Sequence, residues 1–373
     1  MDIDLVPHRH SLLADTTEIL REAIRAGKWK TYLPGERKLC QQMQIGRDTL
    51  RLAIKQLNRE KLLGDAEPGR PRKIITGSVK RGTRRDTTGL IAFFTPHPYE
   101  HLPVTALLEI NMLRENLTGS GFHLEIANSA KAFSLKKPDI ALEQLVGEVR
   151  ADAWILHQST APIQRWFFSR GIPCLLHGQP QEGIDLPFVD IDYLTVGRHA
   201  GGHLISHGHR LVVLLRPRTQ LRGLDMAEEG LCEAFLKHTP EPLSRPHTIT
   251  EPEPPFGAMD LVASLEQFRS GRNQRPTALV ATRSRQVLTV LSWLTRQRQS
   301  LPDHLSIIAL DHSPFLDHLL PKITCYHTNI EKTAKILHRK SLELAESGYI
   351  ARAPEPLMPD FIAGASVARI GVS

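Results

Sequence analysis

Between residues 89 and 347 the chain switches repeatedly between two apolar periods. Short apolar runs at 89–94, 124–127, 153–157 and 174–177 alternate with stretches of helical spacing at 106–117, 140–149 and 163–170. A second series follows, with helical spacing at 197–206, 226–236, 258–268, 287–296 and 332–347 and strand-like runs at 211–215, 278–281 and 306–310. A run that is apolar throughout and too short for a helix reads as a strand covered on both faces. Strands that alternate with helices join in parallel through crossover connections. Roughly 285 residues of this pattern exceed one hydrophobic core, so two α/β lobes are expected.

The N-terminal part reads differently. Residues 12–26 carry Leu12, Thr16, Ile19, Leu20, Ala23 and Ile24 at helical spacing, and Gly27 supplies a stop. A second helix is predicted over 36–43, after Pro34-Gly35, and a third from near Gly46 to about Lys61. On the third, Leu50, Ile54 and Leu57 share one face, while Arg47, Arg51 and Lys55 recur every four residues on another. Leu62-Leu63-Gly64 and Lys73-Ile74-Ile75 are strand-like and flank the tip Pro68-Gly69-Arg70-Pro71-Arg72, which predicts a short basic hairpin. Three helices and a hairpin make a winged helix-turn-helix over 1–75. Residues 76–88 are polar, basic and aperiodic and read as a linker, which leaves 89–370 as the two-lobed body.

Charge follows the same division. Residues 1–80 hold 16 Lys and Arg against 10 Asp and Glu, whereas the whole chain holds 47 against 40. A basic head on a near-neutral body suits a partner with phosphate charge. No apolar stretch is long enough to cross a membrane, and the first residues carry acids where a secretory signal carries bases, so a cytoplasmic protein with no membrane partner is expected. Cys40, Cys174, Cys232 and Cys325 lie far apart, which argues against a zinc knuckle or a disulfide framework. His203, His207 and His209 cluster without a Cys or carboxylate to complete a ligand set, so no metal or cofactor is expected. Neither a nucleophile elbow nor a phosphate loop occurs, and the chain is not read as an enzyme.

The run Leu33-Pro34-Gly35-Glu36-Arg37-Lys38-Leu39, followed by Ile45-Gly46-Arg47-Asp48-Thr49-Leu50-Arg51, resembles the GntR family of bacterial transcription factors over about the first 75 residues. The resemblance implies a wing at Gly69-Arg70-Pro71-Arg72-Lys73-Ile74. It implies DNA contacts from Arg37, Arg47, Thr49, Arg51, Gly69, Arg70 and Arg72. An arginine there can fork onto guanine or clamp phosphates, and both readings stay open. Gly46 and Asp48 depart from the family pattern: the first lacks a capping hydroxyl and the second is an acid facing an anion.

From Thr88 to about Ile370 the chain resembles the LacI-type regulator core, whose fold is that of periplasmic sugar-binding proteins. Gly171-Ile172-Pro173-Cys174, Val189-Asp190-Ile191-Asp192, Gly201 to Arg210, Pro276 to Val280, Leu301 to Asp311 and Pro321 to Thr324 carry this likeness. The whole then resembles chimeric GntR/LacI regulators, which implies a homodimer on double-stranded operator DNA, most simply as a repressor. In the fold, strand ends surround a cleft between the lobes, which offers Tyr99, Gln158, Asp192, Arg222, Arg283 and Asp311 as effector-binding candidates. The effector implied is a sugar, sugar acid or phosphorylated metabolite. Arg283-Ser284 stands where the family has an Asn-Asp pair, Asp225 where it has a gripping Arg unless Arg222 substitutes, and Gly364 where it has another Arg. An acidic ligand held by Arg283, or no ligand, both fit these departures. The alternative function is a small-molecule sensor or carrier whose head engages protein rather than DNA.

Overall fold

The computed structural model describes residues 16–17, 19–20, 23–24, 29, 31–43, 45–59, 63–64, 71–74, 88–134, 136–238, 246–251, 257–270, 275–348, 350 and 356–370. Two compact units divide at Arg85, Met1–Arg85 and Asp86–Ser373. The linker expected at 76–88 lies outside the described residues except for Thr88.

In the head, helix α1 (Glu36–Met43) and helix α2 (Arg47–Arg59) follow each other closely. The described residues of the expected first helix, 16–17, 19–20 and 23–24, are helical. Leu20, Leu39, Leu50, Ile54 and Leu57 close a core with Leu33, Leu63 and Ile74. Thr31 accepts from Ile74 N and Arg72 from Leu33 N, both at 2.9 Å, while Lys73 accepts from Gly64 N at 2.8 Å. Antiparallel bridges Tyr32↔Lys73 and Leu63↔Ile74 accompany these bonds, so residues 72–74 run between two short partners, as a wing requires.

The first lobe of the body contains β1 (Leu90–Thr95), α3 (Val104–Gly119), β2 (His123–Asn128), α4 (Ala130–Ser134), α5 (Asp139–Val149), β3 (Ala153–His157), α6 (Ala161–Arg170), β4 (Cys174–His177) and β5 (Phe188–Val189). Its parallel sheet has the order β2-β1-β3-β4-β5. The second lobe contains α7 (Tyr193–Ser206), β6 (Val212–Pro217), α8 (Arg222–His238), β7 (His247–Glu251), α9 (Gly257–Ser270), β8 (Ala278–Ala281), α10 (Ser284–Arg296), β9 (Ser306–Ala309) and β10 (Thr324–His327). After α11 (Ile330–Ser347), β11 (Asp360–Ile362) closes this sheet in the order β11-β10-β9-β8-β6-β7, parallel except at β11. With β11 set aside, the second sheet repeats the winding of the first, a duplication at the level of fold that the sequence does not display as a repeat.

Three connections join the lobes. One follows β5, one precedes α11, and one returns from α11 to β11. Leu337 and Leu344 of α11 are buried with Ile91, Phe93 and Leu113 in the first lobe, although the helix follows a strand of the second. Leu357 pairs with Ile191 beside this crossing, donating to Asp190 O at 2.9 Å and accepting from Asp192 N at 3.0 Å. Strand ends of both sheets are thereby held around one crevice, the position where open α/β sheets bind ligands.

Candidate functional site

Two surfaces answer to the sequence expectations, one on each unit. On the head, Leu50, Ala53, Ile54 and Leu57 bury one side of α2 almost completely. Helical phase then puts Arg47, Arg51 and Lys55 outside, and all three are exposed. Arg37 is exposed on α1, and Thr49 and Arg72 are half-buried. Arg51 Nε donates to Glu36 Oε2 at 2.9 Å, which links the outer face of α2 to the start of α1. Gly69 and Arg70 lie outside the described residues.

In the body a cavity of about 420 Å³ opens between the lobes. Its walls come from the start of α3, the ends of β3 and β4, the stretch after β5, the start of α8, and the loops after β8, β9 and β10. Gln158, Arg222, Arg283 and Asp311 line it. Gln158 holds the left-handed conformation at φ 49°, an unusual backbone state for a non-glycine residue and one that clusters at binding sites.

Two candidates are corrected. Tyr99 is absent from the lining; its hydroxyl donates to Asn111 Oδ1 at 3.0 Å and Arg114 lies over its ring. Asp192 is absent too, because its carboxylate caps α7, accepting from Thr195 N at 3.0 Å and Thr195 Oγ1 at 2.7 Å. Arg222 reaches the wall with its guanidinium already forked onto Glu229, at 2.6 and 3.2 Å. Asp225 pairs instead with Arg216 at 2.8 Å.

Residues that sequence reading passed over make up much of the polar lining: Glu109, His157, His177, Asp190 and Tyr193. His157 and His177 terminate β3 and β4, so strand ends alone pointed to them. Their Nδ1 atoms are 3.0 Å apart, and the two rings must share one proton, one donating and the other accepting. Burial lowers both, His177 to about 4 and His157 well below its ordinary value, so both stay neutral. Glu109 Oε1 stands 3.2 Å from His177 Nε2 without a hydrogen-bond partner. Burial, helped by the charge of Asp190, pushes Glu109 up to about 8. Burial likewise raises Asp190 to about 7 and Asp311 to about 6, with the guanidinium of Arg283 pulling both back.

His209 is buried, with Nδ1 2.9 Å from Thr277 Oγ1 and Nε2 3.1 Å from Ala368 O. Among the described residues no group of three His, Cys, Asp or Glu could hold a metal ion, and no helix is long and apolar enough to cross a membrane.

Comparison with known proteins follows the same division. Residues 13–70 match the gntR family of bacterial regulatory proteins, and residues 202–367 match the periplasmic binding protein-like domain. The chain is similar to the arabinose metabolism transcriptional repressor of Geobacillus stearothermophilus, 22% identical over 299 residues that cover 78% of this chain and 79% of the relative. In structure it is similar to a LacI family transcriptional regulator from Enterococcus faecium solved with bound ribose. That match has a TM-score of 0.62 and 18% identity, covering 76% of this chain and 100% of the other. A regulatory protein of the LacI family from Chloroflexus aggregans matches with a TM-score of 0.61 and 18% identity, over 76% of this chain and 99% of its own. The chain therefore carries a segment matching the gntR family of bacterial regulatory proteins ahead of one matching the periplasmic binding protein-like domain, and its body shares the fold of LacI family regulators.

Proposed function

We propose that the protein is a repressor that binds operator DNA as a homodimer and is controlled by a small molecule in the cavity between the lobes of its body. The observation that carries the DNA reading is the outer face of α2, where Arg47, Arg51 and Lys55 stand exposed while the opposite face is buried to the last leucine. Arg47 and Arg51 would read base edges or phosphates, Arg37 and Thr49 would hold the backbone, and Gly69, Arg70 and Arg72 would form the wing contact. The domains would divide as 1–75 for the head, 76–88 for the linker and 89–370 for the body.

Repression is suggested by the relative from Geobacillus stearothermophilus. A cavity of about 420 Å³ is the size of a small metabolite, and the relative from Enterococcus faecium holds ribose. Dimerisation through the body is favoured by a stripe on α3, where Val104, Leu108 and Met112 are 51%, 42% and 38% exposed at four-residue spacing. Two heads on one dimer would meet a pseudo-palindrome with half-sites about one helical turn apart. An effector that prefers one arrangement of the lobes would shift that equilibrium, and operator affinity with it.

The direct experiment is selection of bound fragments from the host genome by the full-length protein. A shared palindromic sequence upstream of transcription units supports the proposal. Recovery of fragments without a shared sequence, together with capture of a protein by the head, would support the sensor alternative.

A further inference from the structure

Carboxyl groups outnumber guanidiniums in the wall of the cavity, and the excess says what kind of molecule it accepts. Glu109, Asp190 and Asp311 all line it, and Arg283 faces the two aspartates from the loop after β8. Arg222, the other guanidinium on the wall, is engaged by Glu229. Glu109 is left with no cation. It is 8% exposed, its Oε1 has no hydrogen-bond partner, and its charged or titratable neighbours are the imidazole of His177 on β4 and the carboxyl of Asp190 after β5. His177 cannot supply the missing charge, because it is buried and shares its Nδ1 contact with His157, which is 7% exposed and faces Arg283 and His97 as well.

We infer that the ligand of this cavity carries a positively charged amine that seats against the carboxyl of Glu109, with Asp190 as the second counter-charge. This rests on the reading of the cavity as the effector site. A sugar acid or phosphorylated metabolite would meet three carboxyl groups, and Arg283, the lining arginine not paired with Glu229, is flanked by two of them and bonded to Tyr193. A neutral sugar would leave the buried Glu109 carboxyl with no opposite charge to stabilise its ionised form. An ammonium offers both charge and N–H donors to that carboxyl.

Protons report the sign of the ligand. With no cation beside them, Glu109 and Asp190 retain protons near neutrality, at about 8 and about 7. A cation stabilises their ionised forms, so its binding at pH 7 releases protons and tightens as pH rises from 6 to 8. An anion would take protons up and bind less well over the same range.

The test uses the full-length protein and three probes of one span, putrescine as dication, 1,4-butanediol as neutral molecule and succinate as dianion, with agmatine and arabinose beside them. The expected result is that putrescine or agmatine raises Tm at millimolar concentration, more at pH 8 than at pH 6. Calorimetry in buffers of different ionisation enthalpy should then show proton release. Glu109→Gln and Asp190→Asn should each weaken amine binding tenfold or more. Glu109 is already protonated near pH 7, so glutamine resembles its resting form and lost binding is separable from lost folding. Binding of arabinose, butanediol or succinate with no response to either amine would overturn the charge assignment and keep the cavity as the effector site. Silence from every probe would overturn both, and unchanged amine binding by Glu109→Gln would overturn the placement.

Discussion

Glu109 and His209 are both buried titratable groups, and burial moves them in opposite directions. Glu109 rises from 4.5 to about 8, so the folded chain keeps a proton that the unfolded chain has already lost. The stability this represents is complete below pH 4.5 and drains away as pH climbs to 8. His209 falls from 6.5 to about 4, so the unfolded chain binds a proton that the folded chain refuses, and stability drains away as pH drops from 6.5 to 4. His177 has the sign of His209, and Asp190, raised to about 7, has the sign of Glu109. Thermal unfolding without ligand should therefore show Tm falling on the alkaline side between pH 6.5 and 8.5. Glu109→Gln should flatten that alkaline limb and leave the acid limb in place. A wild-type Tm that keeps rising to pH 8.5 would contradict the burial of these carboxyls in the cavity.

At the scale of elements, α7 and α8 approach so closely that two glycines are needed. A Cβ at Gly197 would lie 2.2 Å from Ala227 O, and one at Gly230 would lie 2.1 Å from Leu194 O. These obstacles are backbone and cannot swing aside, so Gly230→Ala should cost at least the ~1–3 kcal/mol typical of overpacking, measurable by denaturant unfolding. A Gly230→Ala protein as stable as wild type would refute the contact. Much of this architecture is legible in the sequence. Strands 153–157, 174–177 and 278–281 coincide with the expected runs because they are covered on both faces and apolar up to the terminal His157 and His177 of the first two. β7 and β11 escape because each lies at a sheet edge and mixes polar with apolar residues, while β5 is only two residues long. Residues of the cavity wall that lie at strand ends, such as Gln158, Arg283 and Asp311, can be read from the sequence. The site is not legible where side-chain direction decides, and so Asp192 turned out to cap α7, a role already signalled by Thr195 three residues on. Glu109 carried a different signal, an acid inside the apolar stripe of α3 between Ala106 and Leu113.

At the scale of the whole molecule, head and body own separate cores. Among the described residues, the head's apolar core comprises Leu20, Ile24, Leu33, Leu39, Leu50, Ala53, Ile54, Leu57, Leu63 and Ile74. Leu57 is fully buried there, so Leu57→Ala should destabilise the head by ~2–5 kcal/mol and abolish DNA binding. Ligand-induced stabilisation of the body should persist in that variant, and its loss would show that the units do not fold independently. The division of charge gives the same separation of labour: the basic excess lies in the first 80 residues, and the cavity, lined from Pro103 onward, is rich in carboxyl groups. On the proposed function, Arg37, Arg47 and Arg51 would face DNA together with the wing. The measurement that tests it most directly is operator affinity as a function of salt, for wild type and for Arg47→Ala, using fragments recovered from the genome. Affinity should fall by orders of magnitude as salt rises from roughly 50 to 200 mM, and Arg47→Ala should lose ~1–3 kcal/mol of preference for the operator over random DNA. Affinity indifferent to salt, or an operator preference untouched by Arg47→Ala, would contradict the account.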